Sequence, residues 1–140
     1  MSQENVELHR RNVEVWHARD FEAFIAHFDP NVEFHTEFSA LGGGYHGHDG
    51  LRKFLRDFDD AWRDNIRLEP EAYFDLGEDT LLFLVLHGHG RQSGAKVAMP
   101  VAQVARWRED LAVYLKSYTH REDALKDLGV SGDSLESVAP

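Results

Sequence analysis

The chain has no cysteine, which excludes a disulfide framework, a thiolate nucleophile and any thiolate-bound metal. It also lacks any apolar run approaching the length of a membrane span. Its first residues, Met1-Ser-Gln-Glu-Asn-Val-Glu7, are polar and acidic with no apolar segment behind them, so neither a signal peptide nor a membrane partner is expected. Positive charge is scarce: 15 basic residues stand against 25 acidic ones, a net charge of −10 with histidine neutral. Such a surface repels phosphate backbones and anionic lipids, which makes nucleic acid and membrane poor partners. Solubility is the simpler meaning of that charge. The lack of cysteine fits a cytoplasmic protein. No internal repeat, low-complexity tract or linker breaks the 140 residues. One domain over residues 1–130 is therefore expected, large enough for a core without staples, with a loose polar tail at 131–140.

What is present centres on Thr80 to Arg108. Two strand-length apolar runs flank a Gly/Ser-rich connection with a Ser93-Gly94 turn, the pattern of a long antiparallel hairpin. Leu81 to Leu86 is apolar at every position, so both faces of that strand should be covered. The second run places one neutral polar side chain, Gln103, between Val101 and Ala105. A polar group in an apolar wall must find a hydrogen bond in protein, water or ligand.

Ahead of the hairpin, Asn5 to Arg19 reads as a helix with Val6, Val13 and Trp16 on one face and His9 and Asn12 near the same stripe. Asp20 is positioned to cap a short second helix carrying Phe21, Phe24, Ile25 and Phe28, which Asp29-Pro30-Asn31 should stop. Val32 to Phe38 alternates as a strand, with Val32, Phe34 and Thr36 on one side and Glu33, His35 and Glu37 on the other. Gly42-Gly43-Gly44 lacks the lysine and hydroxyl of a phosphate loop and reads as a pocket rim. Asp49 should cap a third helix with Leu51, Phe54, Leu55, Phe58 and Trp62 in a stripe. Both phenylalanine stripes are more simply core than a cofactor box. Ile66 to Leu76 reads as a strand with an edge or bulge at Pro70, Leu111 to Thr119 as a last strand, and Arg121 to Leu128 as a closing helix ended by Gly129.

Helices ahead of a strand meander indicate an α+β fold, a curved antiparallel sheet wrapped over N-terminal helices to leave a cone-shaped cavity. Val32-Glu-Phe-His35, Tyr45-His-Gly-His-Asp-Gly-Leu-Arg52, the Gly88-x-Gly90-x-x-Ser93-Gly94 turn and Tyr118-Thr-His-Arg-Glu-Asp-Ala-Leu125 resemble the SnoaL-like branch of the nuclear transport factor 2-like superfamily. That resemblance implies the ketosteroid isomerase-like fold and a homodimer formed through the sheet. It also implies positions for chemistry. The tyrosine donor of isomerases with this fold corresponds to Asn12, their general base on the first strand to Phe34, and their second oxyanion donor to Gln103. Gln103 keeps a donor where the resemblance places one. The aspartate–arginine–aspartate set of the family's epoxide hydrolases is absent: its last-strand aspartate corresponds to Ser117, and Leu81 to Leu86 holds no arginine.

Strand parity together with the resemblance turns Asn12, Trp16, Phe34, Met99, Val101, Gln103, Leu115, Ser117 and Thr119 inward. Such a lining suits a small apolar molecule carrying a carbonyl or hydroxyl, of polyketide, terpenoid or steroid-like type. Gln103 would polarise the carbonyl, or only bond a neighbouring strand or water. Tyr45 would close over the ligand as a lid, or pack on the third helix. Of the nine histidines, His35 and His46 are candidate general bases, or else surface residues. His87 and His89 share a face with each other, the outer one by the resemblance, and no metal site is expected. Three functions remain: a cofactor-independent acid–base enzyme of isomerase, cyclase or hydrolase type, a non-catalytic carrier or sensor using the same cavity, or a dimeric scaffold whose cone is filled by Trp16, Phe34 and Met99. An ionisable side chain inside the cone separates the first from the second.

Overall fold

The computed structural model describes residues 3–36, 44–61, 66–89 and 95–138. Helix α1 (Gln3–His17) buries Val6, His9, Asn12 and Val13, the stripe its spacing predicts. Helix α2 (Phe21–Ala26) is capped by Asp20, whose carboxylate accepts the Ala23 N–H at 3.2 Å. The apolar pattern of α2 outlasts the helix, because Phe28 already opens strand β1 (Phe28–Thr36). Asp29-Pro30-Asn31 is not a turn between helix and strand, as expected, but an irregularity inside β1. The Asn31 N–H donates to Asp29 Oδ1 at 2.8 Å, and the strand's register shifts between Phe28 and Glu33. Proline withdraws a ladder donor, and the local Asx turn takes up the slack.

Strand β2 (Gly44–His46) and helix α3 (Gly47–Ala61) follow. Gly47 carries φ +70°, and a Cβ there would meet the Pro30 carbonyl oxygen at 2.9 Å, so the start of α3 admits only glycine without strain. Asp49 stands within the first turn of α3 rather than at its cap. There it still complements the helix dipole. Gly42, Gly43, Trp62 and the Ser93-Gly94 turn lie outside the described residues.

Strands β3 (Arg67–Leu76), β4 (Asp79–His89), β5 (Lys96–Arg108) and β6 (Leu111–Tyr118) form the expected antiparallel meander. The central hairpin pairs without a break from Asp79↔Arg106 to His89↔Lys96. Register shifts between Pro70 and Ala72, the bulge that a strand proline predicts. The sheet is seven-stranded, in the order β2-β1-β6-β5-β4-β3-β7. It is mixed rather than wholly antiparallel, since β1 joins β6 in parallel. Parallel neighbours need a long connection, and here the whole meander supplies it.

The run Leu81–Leu86 is apolar throughout because it has cover on both sides. Leu82, Leu84 and Leu86 face inward with Val101, under Val6 and Val13 of α1. Leu81 faces outward against Phe74, Val104, Tyr118 and Ala124 of helix α4 (Arg121–Leu128). Phe24, Phe28, Phe34 and Phe54 build one core cluster with Leu115 and Trp107. The phenylalanine stripes are core. Gly129 ends α4 in the left-handed conformation with φ 70°. No described helix is long and apolar enough to cross a membrane.

The tail departs from the loose segment expected of it. Gly132–Ser134 form a 3-10 turn, and strand β7 (Ser137–Val138) pairs with Phe74 and Tyr73 on the open edge of β3. Leu135 packs on the outer cluster and Val138 on the inner one. The tail has no periodicity to read, yet an unpaired strand edge is a template for any extended segment within reach. Deleting residues 131–140 is therefore expected to lower unfolding free energy by about 2 kcal/mol, the burial of two apolar side chains. Urea unfolding checks this, and an unchanged midpoint would show that β7 contributes nothing.

Candidate functional site

Helix α1 lies on β3 and β4, and α3 lies on β1. The wedge between the two helices and the sheet is a cavity with about 60 Å³ open to the centre of a water-sized sphere. One water needs roughly 10–15 Å³ by the same measure. Trp16 and Phe34 narrow the cone without filling it.

The structure brings Asn12, Trp16, Phe34, Val101, Gln103, Leu115 and Ser117 to this cavity's wall. Met99 does not line it; half-buried, it packs beside the inner cluster, paired in register with Leu86. Thr119 does not line it either, because β6 ends at Tyr118 and the chain bends before its side chain reaches the wall. Thr36 belongs to the wall although it was not among the nine residues turned inward. It shared parity with Phe34, which was signal enough. Phe24, Phe54, Phe58, Leu68, Leu84 and Leu86 complete most of the apolar lining. They come from four different elements, which no local pattern in the sequence can group.

Polar groups in the wall are arranged in a row. Thr36 on β1 pairs with Ser117 on β6, and Ser117 pairs with Gln103 on β5. Residues directly opposite each other share a face, so hydroxyl, hydroxyl and carboxamide cross the cavity floor side by side. Asn12 joins the wall from α1. It is 3% exposed, and its Nδ2 is buried without a hydrogen-bond partner among the described residues. Every described side chain lining the cavity is neutral.

Behind Gln103 stands a residue that the sequence reading placed on the α1 stripe but gave no role. His9 is fully buried. Its Nε2 lies 2.6 Å from Gln103 Oε1 and its Nδ1 lies 2.8 Å from Thr80 Oγ1. Trp107 Nε1–H donates to the same Thr80 oxygen at 2.8 Å. Tyr73 and Trp107 flank the imidazole, with ring centroids 5.6 and 6.0 Å away. Burial lowers the His9 pKa to about 4, against a smaller upward pull from the hydrogen bond to Gln103. The ring is neutral at pH 7. Thr80, the polar opening of an otherwise apolar strand, was the available clue.

The other candidates stand elsewhere. His35 faces outward, its ring 5.6 Å from Tyr114 and its Nε2 3.9 Å from a Glu33 oxygen. His46 is exposed on β2. Neither lines this cavity. Tyr45 packs on α3, its hydroxyl donating to Asp57 Oδ2 at 3.0 Å and its ring against Phe54 and Phe34. Of the two roles left open for Tyr45, this is packing rather than a lid. His87 bonds Glu69 at 2.9 Å, and its pairing with Ala98 puts it on the strand parity opposite to Leu86. Among the described residues no group of three histidine or carboxylate side chains is placed to hold a metal ion.

A curved sheet closed by helices over a neutral cavity defines the ketosteroid isomerase-like cone. Residues 9–115 match the SnoaL-like domain family, and the chain belongs to it. Among solved structures it is similar to a nuclear transport factor 2-like protein of unknown function from Burkholderia pseudomallei. That pair shares 23% identity and a TM-score of 0.77 over 90% of this chain and 97% of that one. It is similar also to TerC, crystallised with polyporic acid, at 20% identity and a TM-score of 0.74 over 89% and 96%. A putative SnoaL-like polyketide cyclase from Jannaschia sp. shares 14% identity and a TM-score of 0.73 over 90% and 92%. No curated protein sequence matches the chain. At these identities the likenesses establish the fold.

The buried histidine carries a pH signature. Between pH 6.5 and about 4 the unfolded chain holds a proton on His9 that the folded chain does not. Stability therefore rises with pH across that window and is lost on acidification. His17 and His27, also lowered chiefly by burial, act in the same direction. The stability difference between wild type and His9→Gln is expected to shrink as pH falls from 7 to 4, by an amount on the order of 3 kcal/mol at most. Urea unfolding of both proteins at several pH values measures it. A difference independent of pH would mean that His9 titrates normally.

Proposed function

We propose that this protein binds a compact, largely apolar molecule bearing an oxygen function in the cone between α1, α3 and the sheet, without a cofactor. The observation that carries the proposal is the buried, partnerless Nδ2 of Asn12 in the cavity wall. A donor left unsatisfied in an apolar wall costs about 1–3 kcal/mol, and an acceptor brought by a ligand removes that cost. Gln103 adds a second carboxamide, and the remaining wall is mostly leucine, valine and aromatic side chains. That is the make-up of a small-molecule site: apolar area for affinity, a few polar groups for orientation. The narrowness of the cavity favours a slender or flat ligand over a bulky one. Support comes also from the solved relatives, one crystallised with polyporic acid and one described as a putative polyketide cyclase.

Binding is preferred here to acid–base catalysis. Isomerisation or cyclisation needs a group that takes a proton, and no described lining residue is ionisable. Phe34 stands where the isomerase resemblance would place the base, and it is packed between Phe28 and Phe54. The proposal is tested by thermal-shift titration against flat apolar carbonyl compounds. Concentration-dependent stabilisation is expected, with affinity about tenfold weaker in Gln103→Leu and in Asn12→Leu. Equal affinity in both variants would sink the site. A stabilising compound that is also consumed would restore the enzyme.

We also propose a homodimer formed through the outer face of the sheet. Half-buried Phe83 and Val85 and exposed Ala98 and Pro100 share that face of the central hairpin. Sedimentation equilibrium is expected to give twice the chain mass of 16.0 kDa, and Val85→Lys to shift it towards the monomer.

A further inference from the structure

The hydrogen bonds behind Gln103 run in one direction, and that direction has consequences for the ligand. Indole N–H is a donor only, so Trp107 occupies a lone pair of Thr80 Oγ1 at 2.8 Å. Thr80 is fully buried, and its hydroxyl bonds are those to Trp107 and His9. Its proton therefore has His9 Nδ1 as its acceptor, 2.8 Å away. A neutral imidazole that accepts at Nδ1 carries its proton on Nε2. That N–H donates to Gln103 Oε1 at 2.6 Å. The carboxamide oxygen is thereby engaged inside the protein, and the NH2 group is what Gln103 has left for the cavity. The reverse arrangement, with the Gln103 NH2 donating to His9, would put the imidazole proton on Nδ1. Thr80 would then accept twice and be left with a buried O–H and nothing to receive it, a costlier state.

We propose that Trp107, Thr80 and His9 are positioning residues that hold Gln103 with its N–H donors towards the cavity, and that the site therefore selects a ligand presenting a hydrogen-bond acceptor such as a ketone oxygen. Asn12 strengthens that polarity. It sits one helical turn beyond His9, on the same face of α1, with a buried donor Nδ2 in the same wall. Thr80 and Trp107 do not line the cavity. They act through His9, out of reach of any ligand. Such a chain lets a tryptophan three hydrogen bonds away decide which end of an amide a ligand meets.

This inference rests on the proposed binding site, and its test separates the two. The imidazole 15N and 13C shifts of His9 at pH 7 report the tautomer directly. Affinities for 1-indanone and for indane, which has the same skeleton without the oxygen, report the polarity of the wall. Expected are an Nε2–H tautomer and a preference for 1-indanone of about five- to tenfold. Thr80→Val should bring that preference close to one while leaving indane affinity unchanged, and Thr80→Ser should retain it. Trp107→Phe is the second variant should Thr80→Val fail to fold; removing the indole donor should mix the His9 tautomers and reduce the preference. An Nδ1–H tautomer, or an imidazolium, in the wild type overturns the relay. Equal affinity for 1-indanone and indane overturns the selectivity and leaves the binding site standing. Binding of neither probe removes the binding site, and the selectivity goes with it.

Discussion

An imidazole without access to water is stable only if it is neutral and both nitrogens are hydrogen-bonded. His9 meets that condition through one helix and two strands at once. Thr80 from β4 takes one nitrogen and Gln103 from β5 takes the other, while Trp107 holds Thr80 from the far end of β5. Moving α1 by one residue would take His9 from both partners and expose apolar Val6 and Val13, which share its face. The polar contact therefore sets where α1 lies, and the surrounding apolar burial makes lying there favourable. Everything else about the cone follows from that placement, including the wedge left open between α1 and α3.

The chemistry of the cavity is set by what the wall does not contain. Its polar row of Thr36, Ser117 and Gln103 crosses three neighbouring strands, and Asn12 adds a carboxamide from the helix. None of these groups exchanges a proton near neutral pH. Nature's use of one cone for several reactions depends on swapping a few inward side chains while the sheet and helices stay in place. In this chain those positions hold neutral hydrogen-bonding and apolar groups. Two of the three side chains with strongly displaced pKa values, His9 and Tyr73, are buried in the packing of α1 on the sheet, where desolvation holds His9 at about 4 and pushes Tyr73 up to about 12; the third, Tyr118, is raised by burial and its bond to Asp127 in the packing of α4 on the outer face. A displaced pKa marks function only where the group reaches a ligand. Here it marks a tightly packed helix.

Much of this arrangement was legible in the residues. Strand alternation together with the family resemblance placed Phe34, Val101, Leu115 and Ser117 on the inner face, and the one polar side chain between Val101 and Ala105 pointed to Gln103. The element order and the Tyr118–Leu125 segment carried the fold. The misses have physical causes. Met99 and Thr119 have inward parity but lie too near their strand ends to reach the wedge. Tyr45 follows glycines that suggested a moving rim, yet its hydroxyl finds Asp57 on α3. His35 and His46 offered a useful pKa range, but one faces outward and the other is exposed. Asp29-Pro30-Asn31 has turn chemistry, and the strand absorbed it as a bulge because flanking residues pair with β6.

By itself the sequence determined the class of fold, the antiparallel central hairpin and which of its residues share a face, because periodicity is a local property and each face repeats along its own element. Only the tertiary structure decided that β1 runs parallel to β6, that the tail closes the edge of β3, and that His9 stands behind Gln103. Residues 9, 80, 103 and 107 are brought together by the packing of α1 on the hairpin. A hydrogen bond between them leaves no periodic trace in the chain, since its geometry exists only once the helix has found its place on the sheet.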